Sequence, residues 1–179
     1  MIRSKSFDGM ALFSECMRHR YHLTRRVLNL RSGVVEPLGW IMFNPSTADA
    51  KVDDATIRKV RGFTERAGYA EAHVVNLFSL RARDPREVAL NLADASTDDN
   101  LRTIEAVARE CRAMVCAWGT LADTSWGREQ VREVLRVVPP ETVLLCIDTA
   151  KSGSPVHPLM QAYAKGLRPW VAAGERAAS

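Results

Sequence analysis

The chain has 179 residues, of which 46% are hydrophobic and 26% charged, with a formal net charge of +4. This is the composition of one ordinary globular domain, and the sequence contains no internal repeat, low-complexity segment or linker. No stretch approaches the roughly 20 apolar residues needed to span a bilayer, and the first residues lack the apolar segment of a signal peptide. We therefore expect a cytoplasmic protein without a membrane partner.

The four cysteines predict neither a zinc site nor a disulfide. Two of them lie inside apolar runs, where cysteine behaves as a small hydrophobic residue, and no histidine follows at zinc-finger spacing. A disulfide is also not expected in a reducing compartment. We expect no metal and no cofactor. The cysteines are Cys16, Cys111, Cys116 and Cys146.

Taken in order, the sequence alternates between predicted strands and predicted helices. Residues 1–35 form an N-terminal strand or hairpin segment, and an apolar strand follows at about 38–43, ending at Asn44-Pro45. Asp53 or Asp54 can cap a helix that runs to about Ala67, before Gly68. Further strands are predicted at 72–80, 113–118 and 142–147. A short helix is predicted that includes residue 88, and longer helices are predicted at about 97–111, at about 125–137 and after 158.

This alternation predicts a three-layer α/β/α sandwich with a mainly parallel central sheet of about four strands and an N-terminal edge hairpin. The whole chain is expected to be one domain, with its core at 36–168 and a frayed tail at 169–179. Parallel strands end at one edge of a sheet, so the polar groups that follow each strand should converge there. Those groups are Asn44, Arg81, Trp118-Gly119 and the loop to His157.

Each of these features also has a simpler interpretation. Asn44-Pro45-Ser46 is common turn chemistry, Asp53 and Asp54 are most simply helix caps, and a lone histidine is usually an exposed side chain. Three arginine-rich groups, in 18–31, 58–61 and 81–86, can be solvated surface, although together they favour a nucleic-acid partner. Glycine-rich phosphate loops and the G-x-S-x-G motif of serine hydrolases are absent.

The motifs, taken together, resemble a known family. They are N-P-S after the first strand, T-x-x-x-V-x-x-F and A-G-Y around the first helix, V-N-L-F-S-L-R, A-W-G and S-G-S-P-V-H-P-L. This order, which spans roughly 16–159, is similar to the family catalogued as domain of unknown function 1643.

A more distant resemblance is to the uracil-DNA glycosylase superfamily, especially its mismatch-specific branch, and it implies a uracil-DNA-glycosylase-like fold. In that branch the first strand ends in G-x-N-P-G, so Met42 and Ser46 stand here where the branch has glycines. The resemblance implies that Asn44 orients an attacking water. It also implies that His157 holds the leaving base or the flanking phosphate.

The sequence therefore predicts a nucleobase-binding or nucleic-acid-binding domain that cleaves an N-glycosidic bond. Asp49 or Asp54 could activate the water or offset the positive charge of the sugar. Trp118 or Phe78 could stack on an extruded base, and the simpler interpretation of both rings is packing in the core. The predicted catalytic residues are Asn44, Asp49, Asp54 and His157. The predicted substrate-binding residues are Arg20, Pro45, Ser46, Thr47, Asp53, Asn76, Arg81, Asn100, Trp118, Gly119 and Lys151.

Two alternatives stay open. One is a non-catalytic module that uses the pocket to bind a nucleotide or nucleic acid, which Met42 and Ser46 favour because glycines permit closer approach of a ligand. The other is a metal-dependent phosphohydrolase built on Asp49, Asp53 and Asp54.

Overall fold

The computed structural model describes residues 1–6, 8–27, 36–46 and 52–172. Two predicted site residues, Thr47 and Asp49, lie outside the described residues, and so do positions 173–179 of the predicted tail.

The described residues form eight strands and five helices. The strands are β1 (Ile2–Ser6), β2 (Gly9–Phe13), β3 (Arg20–Arg26), β4 (Pro37–Met42), β5 (Glu71–Asn76), β6 (Ala113–Cys116), β7 (Val143–Cys146) and β8 (Arg168–Pro169). The helices are α1 (Ala55–Arg66), α2 (Arg86–Leu90), α3 (Leu92–Ala95), α4 (Asp98–Cys111) and α5 (Ser125–Val137). Short 3-10 turns cover Thr120–Asp123, Pro158–Met160 and Tyr163–Lys165.

The strands form one mixed sheet in the order β1-β2-β3-β5-β4-β6-β7-β8. The pairings of β4 with β5, β4 with β6 and β6 with β7 are parallel, and the other four are antiparallel. The predicted mainly parallel, uracil-DNA-glycosylase-like sheet of about four strands was therefore wrong.

The N-terminal segment explains most of this difference. β1, β2 and β3 form an antiparallel meander, and β3 then pairs with β5, where Leu23 lies opposite Val74. Because this segment carries many polar residues, it indicated a separate edge hairpin rather than strands continuous with the sheet. At the other edge, the helix predicted after 158 is replaced by two 3-10 turns and the antiparallel strand β8.

Helices cover both faces of the sheet. α1 packs Ile57, Val60 and Phe63 against a cluster that includes Trp40 of β4, and the Trp40 Nε1–H donates to Thr64 Oγ1 at 3.0 Å. α4 and α5 pack against the opposite face, in a cluster that includes Ile41. The alternation of strand side chains between two faces thus assigns odd and even residues of β4 to different cores.

The carboxyl ends of the parallel strands are joined by backbone hydrogen bonds. The Leu77 N–H donates to the Met42 carbonyl at 2.9 Å, and the Ala117 N–H donates to the Ile41 carbonyl at 2.9 Å. Farther along, the Gly119 N–H donates to the Pro155 carbonyl at 2.9 Å. These bonds bring the segments that follow four strands to one edge of the sheet.

Candidate functional site

A cavity of about 320 Å³ lies at this edge, on the α1 side of the sheet. Its walls are mostly apolar, with Met42, Phe43, Ile57 and Val74 contributing side chains that are buried. Six of the predicted site residues line it: Arg20, Asn44, Ser46, Asp54, Asn76 and His157. A concave, largely apolar site with a few convergent polar groups is the usual form of a small-molecule or base-binding pocket.

Asn44 lies two residues after the end of β4, and its amide group has a fixed orientation. Its Nδ2 donates to the carbonyl oxygen of Pro45 at 3.1 Å and to that of Ala82 at 2.9 Å. The Ala82 N–H in turn donates to the Pro45 carbonyl at 3.0 Å. Because only an amide NH2 can donate to two carbonyl groups, the amide cannot be flipped, and Oδ1 is left to accept a hydrogen bond from water or a ligand.

His157 lies in the loop after β7 and is held in one tautomer. Its Nδ1 accepts a hydrogen bond from the Leu159 N–H at 3.3 Å. Burial lowers the pKa of His157 below its ordinary value, although the carboxylate of Asp54 opposes this shift. The ring is therefore neutral at pH 7, and with Nδ1 acting as an acceptor its proton is on Nε2.

The backbone of Gly119 packs closely against His157. A Cβ at position 119 would come within 3.3 Å of the His157 Cβ, and Gly119 has a φ of 73°. Both observations require glycine, because L side chains rarely adopt this conformation and a methyl group would press on the histidine. Gly119, predicted to bind substrate, instead positions a residue that lines the cavity.

Asp54 has two roles in the geometry. Its Oδ1 accepts a hydrogen bond from the Ile57 N–H at 2.8 Å, which caps α1, as the sequence predicted. Burial lowers the pKa of two groups that line the cavity, Arg20 and His157, and the negative charge of Asp54 opposes this shift in both. A carboxylate is thus fixed at the cavity by the start of a helix.

Arg20 and Asn76 lie together in the cavity wall. Arg20 is 2% exposed, and burial lowers its pKa to about 10, so it remains a cation at pH 7. Its Nη2 donates to Asn76 Oδ1 at 3.4 Å. Asn76 is 1% exposed, and its Nδ2 has no hydrogen-bond partner among the described residues. An unpartnered buried donor is costly, so Asn76 is suited to donate to an acceptor on a ligand.

Asn100 supports this wall from α4 without lining the cavity. It is fully buried, and its Nδ2 donates to the carbonyl oxygens of Asn76 at 3.1 Å and Leu77 at 3.2 Å. Pro45, also predicted to touch substrate, is buried beside the cavity and accepts hydrogen bonds through its carbonyl. Both residues hold the segments that carry the polar lining.

Two other predicted residues form contacts away from the cavity. Asp53 pairs with Arg25 at 2.5 Å and Arg61 at 2.9 Å; burial acts to raise the pKa of Asp53, but these arginines outweigh it and lower the pKa. Arg81 donates to the Met17 carbonyl at 3.0 Å and lies over the ring of Phe13.

Trp118 and Lys151 are also outside this cavity. Trp118 is buried on the α5 side, where its ring contacts that of Trp170 edge to face, with the two ring centroids 5.3 Å apart. Lys151 is exposed in the loop after β7. Phe78 packs in the core against Phe43, as the simpler interpretation expected.

The lining residues that were not predicted as site residues include Thr56, Arg83, Leu121 and Leu159. Three of them had a signal, because Thr56 begins and Leu159 ends a family motif, and Arg83 belongs to an arginine-rich group. Leu121 had none. Arg83 is exposed and forms no ion pair within the described part of the chain, so its guanidinium is available at the rim of the cavity.

Within residues 1–6, 8–27, 36–46 and 52–172, no group of three or more His, Cys, Asp or Glu side chains is arranged to hold a metal ion. No helix in the described part of the chain is long and apolar enough to cross a membrane.

The fold and the cavity define a mixed α/β protein with a small, mostly apolar pocket that carries a few polar groups at the carboxyl edge of its parallel strands. Residues 20–159 match the family described as protein of unknown function (DUF1643), and the chain belongs to this family. The family predicted from the motifs is thereby confirmed. Comparison with curated proteins and with solved structures found no match. The resemblance to uracil-DNA glycosylases stays a prediction.

Proposed function

We propose that the cavity binds a nucleobase carried by a nucleotide or a nucleic acid, and that the protein hydrolyses the N-glycosidic bond of that base. The observation that carries the proposal is the fixed amide of Asn44, which offers Oδ1 as an acceptor in the same cavity that the neutral imidazole of His157 lines. A volume of about 320 Å³ with mostly apolar walls suits a planar base.

In this reaction the bond between the base nitrogen and the anomeric carbon breaks, and the base departs with the bonding electrons. The His157 Nε2–H and the unpartnered Asn76 Nδ2 donate to the developing base anion, and the nearby positive charge of Arg20 favours that anion. One proton of water passes to solvent or to the base as the water oxygen bonds to the anomeric carbon.

Two further groups act on the sugar side. Asn44 Oδ1 accepts a hydrogen bond from the attacking water and so positions it, without having to act as a base. The carboxylate of Asp54 offsets the positive charge that builds on the sugar. Arg83, exposed at the rim, is suited to contact the phosphate that carries the base.

The proposal is tested by base release. Wild-type protein is incubated with DNA and RNA that contain modified or mismatched bases and with free nucleotides, and free base and abasic sites are measured. We expect Asn44→Ala to lower kcat at least about 100-fold, because a misplaced water costs that much. Asn91→Ala, which removes an exposed asparagine from the α2–α3 junction, is the control and should leave the rate unchanged.

Asn44→Ala also removes two hydrogen bonds that hold the turn, so its unfolding midpoint is measured alongside. If wild-type protein releases no base from any of these substrates, the catalytic proposal fails. A stable Asn44→Ala variant with the wild-type rate would show that Asn44 has no role in the reaction.

The second candidate is a module that binds the same ligand without turnover. The side chains of Met42 and Ser46 line the cavity, and they occupy space that glycines would leave to a ligand. Calorimetry decides between the two: nucleotide binding that Asn76→Ala weakens, with no base released, supports the module. Cytoplasmic location and the resemblance of Asn44 and His157 to glycosylase positions remain part of the proposal.

A further inference from the structure

A second cavity, of about 490 Å³, lies on the α5 side of the same sheet edge. It is lined by two tryptophans, Trp118 and Trp170, by Arg128 and Arg132 of α5, and by parts of two loops that include Asp123 and Pro155. Trp118, expected from the sequence at the first cavity, therefore belongs to this one.

The two cavities share a wall. Leu121 and His157 line the first cavity, whereas their near neighbours Ala122 and Pro155 line the second. The Gly119 N–H bonds the Pro155 carbonyl, which ties the two loops together. Adjacent residues of the same two loops therefore line both cavities, and a ligand that extends out of one can reach the other.

The second cavity has an aromatic wall that a planar ring can contact. Trp170 is partly exposed, and its ring stands edge to face on the buried ring of Trp118 at an interplanar angle of 89°. Trp118 thus packs against the ring of Trp170 and helps to hold its orientation. An aromatic ring held in this way is a stacking platform for any nucleobase, because every base has a π face.

The charges in this cavity favour an anion. Arg128 is exposed and has no ion pair within the described residues, and Arg132 pairs with Glu129 on the surface of α5. The single carboxylate of the lining, Asp123, accepts a hydrogen bond from Ser154. Because Glu129 pairs with Arg132, Arg128 is the guanidinium of this lining that remains to contact an anion beside the tryptophans.

We propose that the second cavity binds the nucleotide next to the one held in the first cavity, its base stacked on Trp170 and its phosphate contacted by Arg128. The inference rests on the proposed function, since it takes the first cavity to hold a base. It adds that the ligand is a single-stranded oligonucleotide, not a free mononucleotide.

The experiment uses labelled single-stranded DNA and RNA oligonucleotides of about ten nucleotides, a length within the usual range for one such domain, with binding followed by fluorescence anisotropy. We expect Trp170→Ala to weaken binding roughly tenfold through lost stacking, and Trp170→Phe to restore most of it. Arg128→Ala should weaken binding and also reduce the salt dependence by roughly 0.7 in the slope of log K against log salt concentration, as loss of one phosphate contact does.

Arg3→Ala is the matched control, because Arg3 is an exposed arginine on β1, at the opposite edge of the sheet. It removes the same net charge and should leave the affinity and the salt slope close to wild type.

The outcomes separate this inference from the proposed reaction. Absence of oligonucleotide binding by wild-type protein, or equal binding by wild type and the Trp170 and Arg128 variants, overturns the second subsite. Loss of affinity in Arg128→Ala equal to that in Arg3→Ala also overturns it, because the effect is then net charge alone. If these variants weaken binding as expected while no base is released, the subsite stands and the glycosylase proposal fails.

Discussion

At the scale of single residues, the candidate site depends on polar groups whose orientation is fixed by hydrogen bonds to neighbouring groups. Asn44 is held by two carbonyl groups, His157 by an N–H of its own loop, and Asn76 by the guanidinium of Arg20. Each therefore presents one defined donor or acceptor to the cavity. Preorganised groups of this kind need little rearrangement when charge develops on a substrate.

Gly119 gives a prediction at this scale. Its φ of 73° and ψ of −178° are suited almost only to glycine, and a methyl group would also press on His157. We expect Gly119→Ala to lower the free energy of unfolding by about 1–3 kcal/mol and to weaken ligand binding by displacing the imidazole. Urea unfolding and calorimetry measure the two effects.

Gly166→Ala is the matched control. Gly166 has a similar backbone conformation, with φ 64° and ψ −159°, but a Cβ there would meet nothing within 4 Å. It should show a similar loss of stability and unchanged binding. Equal binding by both variants would contradict a positioning role for Gly119.

At the scale of elements, the start of α1 links helix stability to the charge of the site. Asp54 caps the helix, and its charge opposes the burial that lowers the pKa of His157. We expect Asp54→Asn to keep the cap, since asparagine caps as well as aspartate, and to lower the pKa of His157 further. A proton NMR titration of the His157 ring measures this shift.

A second pair of variants separates the cap from the charge. Asp54→Ala should lose about 1 kcal/mol of stability and shift the histidine as Asp54→Asn does, whereas Thr97→Ala should lose a comparable cap at the start of α4 and leave His157 unchanged. If the pKa of His157 is the same in both Asp54 variants as in wild type, the carboxylate does not act on the ring.

Which elements the sequence could predict depended on how local their signals are. The cap of α1 by Asp54 and that of α4 by Thr97 are local hydrogen bonds, and both helices begin where those residues indicated. Pairing of β3 with β5 is not local, because it joins segments about fifty residues apart. No residue near Leu23 indicates which strand it pairs with. The same limit applies to β8, which is two residues long.

Trp118 shows why convergence at a sheet edge does not place a residue in a given cavity. Met114, Cys116 and Trp118 belong to the cluster under α4 and α5, whereas Val115 and Ala117 face α1. The first cavity lies on the α1 side, so the alternation of strand side chains sends Trp118 to the other face. The sequence indicated the edge correctly but could not reveal which face carries the first cavity.

At the scale of the whole molecule, a buried histidine makes the fold sensitive to acid. Burial, together with a smaller effect of the nearby ring of His73, lowers the pKa of His22 to about 3, and Glu71 opposes the shift. The unfolded chain binds a proton near pH 6.5, so it holds more protons than the native state between pH 6.5 and 3. Stability is therefore fully present above pH 6.5 and declines as the pH falls.

We expect this one group to remove about 2 kcal/mol between pH 7 and pH 5, above the range where most carboxylates titrate. His157, whose pKa is also lowered, acts in the same direction. Urea unfolding at a series of pH values measures the slope, and His22→Gln should flatten it. A variant slope equal to that of wild type would contradict the assignment to His22.

The two outer strands of the described sheet have a consequence for how the protein behaves at high concentration. β1 carries Arg3 and Lys5, and β8 is short and ends in Pro169. Charged residues and proline at a sheet edge oppose the addition of a strand from another molecule. Both edges of the described sheet are thus protected against edge-to-edge, fibril-like association.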